Sequence, residues 1–165
     1  MKRRTMMVAL MGGAAAGCRS KSGTDLAEVV NIADEGLAPQ LLRGFHRVES
    51  GSWRWTQGKF SVALKPPKQA DKGAVLLLQY SIPDAVMAQR KEVTISAVIE
   101  GVPLPPEKVT TAGAHEYRRE VPAEVVKGKR AATVDFTVDP ATPPGDSDER
   151  ELGVIAATVG LLKKS

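Results

Sequence analysis

The chain has 165 residues, a length that fits one domain plus a targeting segment. Its hydrophobic content of 42% and charged content of 25% exclude a wholly disordered protein. A single cysteine excludes a disulfide framework and a cysteine-rich zinc site, and two histidines leave little material for metal or triad chemistry.

The net charge of +4 comes largely from the N-terminus. Lys2, Arg3 and Arg4 precede an uncharged stretch, 5–17, and this is the layout of a secretory signal. The stretch is too short to cross a bilayer, which needs about 20 residues, so we expect residues 1–17 to be removed. The remaining chain is nearly neutral, and nucleic acid is therefore not an expected partner. The other basic clusters are interpreted as solvated loops and strand faces; they are Lys65/Lys68, Arg118/Arg119 and Lys127/Lys129/Arg130.

The apolar stretch ends in Ala15-Ala16-Gly17-Cys18. This tetrad resembles the lipobox of bacterial lipoproteins. The resemblance implies that Cys18 is acylated and becomes the new N-terminus. The protein would then be anchored to a membrane of the cell envelope, facing the periplasm or the exterior. The alternative is a soluble secreted protein that is cut after a small residue, with Cys18 incidental.

Residues 18–43 are predicted to form a tether and a short helix. Residues 19–23 are small and polar, as in a flexible linker. A helix is predicted over Asp25–Glu35, because apolar residues there recur at helical spacing. These residues are Leu26, Val29, Val30 and Ala33.

From Gly44 onward the hydrophobic period changes to two, which indicates β-strands. The predicted strands are 45–49, 53–56, 60–64, 74–80, 93–99, 115–121, 131–138 and 152–161, with an edge piece at 102–104. Glycine and proline separate most of them, and no long helical pattern intervenes. The sequence therefore predicts an all-β domain over 44–165, an antiparallel sandwich of the jelly-roll type.

Three stretches together carry a family resemblance. They are 44–49 with Trp53-Arg54-Trp55-Thr56, then 117–122, and finally 146–154. Their order resembles jelly-roll modules that are galactose-binding-like or carbohydrate-binding-like, which occur in bacterial envelope proteins and attached to glycosyltransferases. The resemblance covers roughly 44–161. Those modules usually have an aromatic pair at the positions of Phe45-His46. If that pair contacts the ligand in them, His46 removes one of the two aromatic contacts here.

Trp53 and Trp55 are two apart on a predicted strand, so they face the same way and Arg54 faces the other. Sugar-binding modules stack aromatic rings on pyranose faces and direct Arg or acidic groups at the hydroxyls. A core role for one or both tryptophans is the alternative. For Arg54 the alternative is an ion pair with Glu149 or Glu151.

Tyr117, beside Arg118 and Arg119, is a further candidate ligand contact, with a half-buried strand tyrosine as the alternative. The acidic loop 146–149 offers carboxylates for calcium but is equally typical of a turn, so no metal is assigned. His46 and His115 are isolated, and neither HExxH, GxSxG nor a phosphate loop occurs. No cofactor and no catalysis are expected.

The sequence thus favours a membrane-anchored, non-catalytic binding module of the bacterial envelope. Its expected ligand is a carbohydrate or an envelope polymer, bound at Trp53, Arg54, Trp55 and Tyr117. The alternative is a structural or protein-interaction lipoprotein that has no sugar site. An envelope hydrolase is the weakest hypothesis, because no catalytic constellation supports it.

Overall fold

A computed structural model describes residues 25–165, in which nine antiparallel strands carry the fold. The strands are β1 (Val29–Asn31), β2 (Leu41–Glu49), β3 (Trp53–Leu64), β4 (Ala74–Ile82), β5 (Val93–Ile99), β6 (Val102–Val109), β7 (Gly113–Val121), β8 (Ala132–Asp139) and β9 (Ile155–Lys163). Two short helices, α1 (Asp84–Arg90) and α2 (Ala123–Val126), and 3₁₀ turns at Glu35–Gln40 and Ala70–Lys72 complete the described chain. No helix among residues 25–165 has the length and apolarity to cross a membrane.

The strands form two facing sheets that share β3. The first half of β3 pairs with β9, which pairs with β4, which pairs with β7. The second half of β3 pairs with β8, which pairs with β5, which pairs with β6. This is the strand order of a jelly roll, so the predicted all-β antiparallel sandwich is confirmed. β2 follows β3 along its other edge, and three register shifts in that pairing let it bend between the sheets.

The core between the sheets consists mainly of valine, leucine and isoleucine, with three aromatic rings at its centre. Phe60 and Phe136 stack with their centroids 4.9 Å apart, and Tyr117 meets Phe136 edge-on at 6.3 Å. All three side chains are buried. Alternation along β5 and β8 supplies the aliphatic part, because every second residue of these strands points inward.

The predicted helix over Asp25–Glu35 is wrong. Val29–Asn31 form β1, which pairs with β9, and a 3₁₀ turn follows at Glu35–Gln40. Val30 and Ile32 are fully buried, so the inward positions repeat every two residues. A helix of this length is marginal by itself, whereas β-branched valines fit a strand that can pair with β9. The sandwich therefore begins before the predicted boundary at Gly44.

Several strand boundaries also differ from the prediction. β2 begins at Leu41, and the edge piece predicted at 102–104 is a strand that extends to Val109. The predicted strands 53–56 and 60–64 form one strand, because Gly58 lacks a side chain and so fits against Glu151 and Ala141. The last strand begins at Ile155, and Leu152 forms only an isolated bridge with Thr142. Helix α1, between β4 and β5, was not predicted.

Replacing Phe136 by alanine should lower the free energy of unfolding by about 3–5 kcal/mol, because it removes the ring that Phe60 and Tyr117 both contact. Urea denaturation measures the change. Val102→Ala is the matched control, since Val102 is 38% exposed and should cost about 0.5 kcal/mol or less. Equal losses in the two variants would contradict this description of the core.

Candidate functional site

Trp53 and Trp55 lie on the outer face of the first sheet. Both side chains are half-buried, whereas Arg54 and Thr56, which alternate with them along β3, are buried. The predicted shared face of the two tryptophans is therefore present. Neither indole belongs to the core.

An open pocket of about 530 Å³ lies on this face at the end of the sheet nearest the turn 50–52. All four strands of the first sheet contribute to it. Its apolar lining includes Trp53, Ile155 and Ala157, and its polar lining includes Gln79, Ser81 and Glu116. Trp55 does not line the pocket, but it lies on the same face, directly opposite Ile155 in the β3–β9 register. We name this surface the tryptophan face: Trp53, Trp55, Ile155, Ala157, Gln79, Ser81 and Glu116.

A polar pair stands across the pocket from Trp53. Gln79 and Glu116 are directly opposite in the β4–β7 register, and Gln79 Nε2 donates a hydrogen bond of 2.9 Å to Glu116 Oε1. The pair is exposed, which leaves Glu116 Oε2 free to accept hydrogen bonds from a ligand. The pocket thus combines a flat apolar ring with a fixed carboxylate acceptor.

His115 also lines the pocket, and its ring orientation is fixed. Its Nε2 donates to the Thr111 carbonyl at 2.7 Å, and its ring lies 5.6 Å from that of Tyr80. Since a carbonyl only accepts, Nε2 carries a proton.

Arg54 does not reach the pocket, so its predicted role as a ligand contact is wrong. Its side chain is buried and donates to two backbone carbonyls, from Nε to Ile32 at 2.9 Å and from Nη1 to His46 at 3.1 Å. Its Nη2 lies 3.1 Å from Glu35 Oε1, an ion-pair distance without hydrogen-bond geometry. The alternative prediction, an ion pair with Glu149 or Glu151, is also wrong, because the acid that lies beside Arg54 is Glu35.

Tyr117 is fully buried, and its predicted role as a ligand contact is also wrong. Its hydroxyl donates to the Pro105 carbonyl at 2.9 Å, and the Arg119 guanidinium covers its ring at 4.6 Å. Burial raises the pKa of its hydroxyl. Because Pro105 belongs to β6, Tyr117 helps to join the two sheets at their β6–β7 edge.

The acidic loop is held by arginine. Arg150 Nη2 lies 2.8 Å from Asp148 Oδ2, and Arg150 Nη1 lies 2.7 Å from Glu49 Oε1. His46 Nε2 donates to the Glu151 carbonyl at 2.7 Å. Within residues 25–165, no three His, Cys, Asp or Glu side chains are grouped as a metal site would require.

A second cleft, of about 790 Å³, lies beside the other half of β3. Arg43, Lys59, Asp139 and Glu151 give it mixed charge, and no aromatic side chain lines it. It therefore offers no ring for stacking. The sequence does not reveal this cleft, because residues from three distant segments form it.

Three polar residues of the pocket were not predicted from the sequence: Gln79, Ser81 and Glu116. Alternation in β4 and β7 could have placed these side chains on an outer face. It could not show that the two strands pair, or that β9 brings both next to Trp53. Cys18, the predicted lipidation site, lies outside the described residues.

Comparison with known proteins shows no matching family model and no matching curated protein. Among solved structures, the chain is similar to a carbohydrate-binding module, TmCBM27, described for specific mannan recognition. The identity is 15%, the match covers 85% of this chain and 98% of that one, and the TM-score is 0.49. The CBM36-1 domain of a multidomain xylanase from the hindgut metagenome of Trinervitermes trinervoides is 10% identical over 80% of this chain and 94% of that one, with a TM-score of 0.42.

An enzyme is among the similar structures as well. The GH115 4-O-methyl-α-glucuronidase BtGH115A, with specificity for decorated arabinogalactans, is 12% identical over 99% of this chain, with a TM-score of 0.48. This chain spans 20% of that enzyme. The similar structures thus include carbohydrate-binding modules. All three TM-scores are below 0.5, so we derive the function from the residues of this chain.

The Asp148 carboxyl should titrate near pH 2, because hydrogen bonds from Arg150 hold its pKa at about 2. In Arg150→Gln the pKa should rise toward the ordinary value of 3.8. A carbon-detected NMR titration of the carboxyl measures both values. Because the folded-state pKa is lowered, any stability that the contact contributes is present above the unfolded pKa and lost as the pH falls toward 2. An Asp148 that titrates alike in both proteins would contradict the contact.

Proposed function

We propose that this protein is a non-catalytic binding module of the bacterial envelope that binds carbohydrate at the tryptophan face. The observation that carries the proposal is the half-buried Trp53 in one pocket with the hydrogen-bonded pair Gln79 and Glu116. Trp55 lies on the same face of the sheet, next to Ile155.

The chemistry of a pyranose fits this arrangement. Its axial C–H bonds form an apolar face that an indole can cover, and its rim carries hydroxyl donors and acceptors. The Glu116 carboxylate accepts from hydroxyl groups, and the Gln79 amide donates and accepts. An open pocket of about 530 Å³ is within the size range of small-molecule sites.

The proposal includes a membrane anchor at Cys18. Its support is the sequence alone: a basic start, an apolar stretch and a lipobox-like tetrad. Acylation with several chains would hold the domain on a membrane, since one chain anchors only marginally.

A second candidate function uses the same surface. Ile155 and Ala157 extend the apolar area between the strands that carry Trp53 and Gln79. A protein of the envelope could dock there, because aromatic residues are enriched at protein interfaces. Glycan binding distinguishes the two functions.

A glycan-array screen of the chain from Cys18 to Ser165 should find a carbohydrate that binds saturably and changes the tryptophan fluorescence. Trp53→Ala should then weaken binding at least about tenfold, because it removes the stacking ring from the pocket. Leu42→Ala is the matched control. Leu42 is 49% exposed on β2 and does not line the pocket, so binding should be unchanged.

Urea denaturation of each variant confirms that the fold is retained. Absence of binding to every glycan and to peptidoglycan fragments would overturn the carbohydrate proposal and favour the protein-interaction function. Equal weakening in Trp53→Ala and Leu42→Ala would place the site elsewhere.

Mass spectrometry of the protein purified from bacterial membranes should show an N-terminal peptide that begins at Cys18 and carries acyl chains. Cys18→Ser should abolish that mass and release the protein from the membrane fraction, because the thiol that receives the lipid is gone. An unacylated Cys18 in the wild-type protein would contradict the anchor and leave the glycan experiment unaffected.

A further inference from the structure

Two lysine-bearing loops meet at one end of the sandwich. The β3–β4 loop, 65–73, and the β7–β8 loop, 122–131, both follow the same end of the sheets, because Leu64 pairs with Ala132 and Ala74 pairs with Val121. They line one depression that includes Lys65, Lys68, Lys127 and Lys129. We name this surface the basic end: Lys65, Lys68, Lys72, Lys127, Lys129 and Arg130.

The two loops of the basic end carry an excess of positive charge. The two loops carry six cations against two acids, Asp71 and Glu124. The other described residues carry twelve cations against seventeen acids. The other charged side chains at the same end are two lysines, Lys163 and Lys164, and four acids, Asp25, Glu28, Glu100 and Glu120, so the excess of positive charge is confined to the two loops.

Most of these cations are available to a partner. Lys68, Lys72, Lys127 and Arg130 are exposed. Of the six, within residues 25–165, only Lys129 forms a salt bridge, with Glu100 at 3.1 Å.

The chain enters the domain at this same end. Lys65 N donates to the Ala27 carbonyl at 3.0 Å, and Leu161 N donates to the Glu28 carbonyl at 2.8 Å. Six residues separate Cys18 from Asp25, and a chain of this length spans at most about 25 Å at full extension. Arg19 and Lys21, in this linker, add two more cations.

The tryptophan face lies at the opposite end. Trp53 begins β3 and Leu64 ends it next to the basic end, so roughly 35 Å of strand separates them. A surface that contacts the basic end therefore leaves the pocket of Trp53 open to the other side.

We propose that the basic end docks onto the anionic headgroups of phospholipids. Docking would fix the domain upright on the membrane with the tryptophan face outward. The proposal rests on the membrane anchor of the proposed function, because the short linker confines this end to the bilayer surface. Each lysine that reaches an anionic surface contributes roughly a fivefold gain in partition.

The test uses the chain from Cys18 to Ser165, which holds every described residue. Its only thiol, Cys18, is coupled to a maleimide lipid in two kinds of vesicle: phosphatidylcholine alone, or with one third phosphatidylglycerol. A membrane-impermeant amine reagent then reports the exposure of Lys65 and Lys129 by mass spectrometry. Both should react at least about threefold more slowly on the anionic vesicles, and half-molar salt should remove the difference.

Two variants that lose four charges each make the test specific. Lys68→Gln/Lys72→Gln/Lys127→Gln/Arg130→Gln should bring Lys65 and Lys129 to equal reactivity on the two kinds of vesicle. Arg47→Gln/Lys59→Gln/Lys91→Gln/Lys108→Gln changes the net charge equally but lies outside the basic end, so protection should persist.

Equal reactivity of the wild-type chain on both kinds of vesicle would overturn the proposal. Loss of protection in both variants would overturn it too, since net charge alone would then explain the effect. Tighter binding to double-stranded DNA than to the anionic vesicles would assign the basic end to nucleic acid instead. Chemical coupling supplies the anchor, so these results do not depend on whether the cell acylates Cys18.

Discussion

The orientation of β3 depends on the burial of one charged side chain, Arg54. Its guanidinium donates to the carbonyls of Ile32 and His46 and pairs with Glu35, so it connects the entering chain, β2 and β3. A buried cation with so many partners is costly to expose or to leave unpaired. Because side chains alternate along a strand, an inward Arg54 holds Trp53 and Trp55 outward.

β3 also connects the two ends of the domain. β3 starts beside the turn 50–52 at the tryptophan face and finishes where the entering chain at Ala27 and Glu28 meets the lysine-bearing loops. Because β3 runs from the tryptophan face to the basic end, a domain that rests on the membrane through its basic end would point its tryptophan face away from the membrane. Both proposals depend on this geometry, but each has its own test.

The sequence predicted the fold well because alternation of hydrophobic residues is a local signal. It failed at Val29–Asn31, where three residues form a strand only because β9 offers a partner. It predicted Tyr117 as a ligand contact and left a core role open for the tryptophans, since composition does not show which aromatic rings face inward. Gln79 and Glu116 are 37 residues apart, and the two lysine clusters about 60; only the long-range register of the strands brings either set together.

The most direct test of the tryptophan face is an NMR titration of the two indole N–H signals with a bound carbohydrate. The chain has two tryptophans, so each signal is assignable by single substitution. Carbohydrate binding at the proposed site should shift the Trp53 indole signal, together with the side-chain amide of Gln79. Saturable binding that leaves both indoles unmoved and shifts residues of the charged cleft, such as Lys59 and Asp139, would contradict the account.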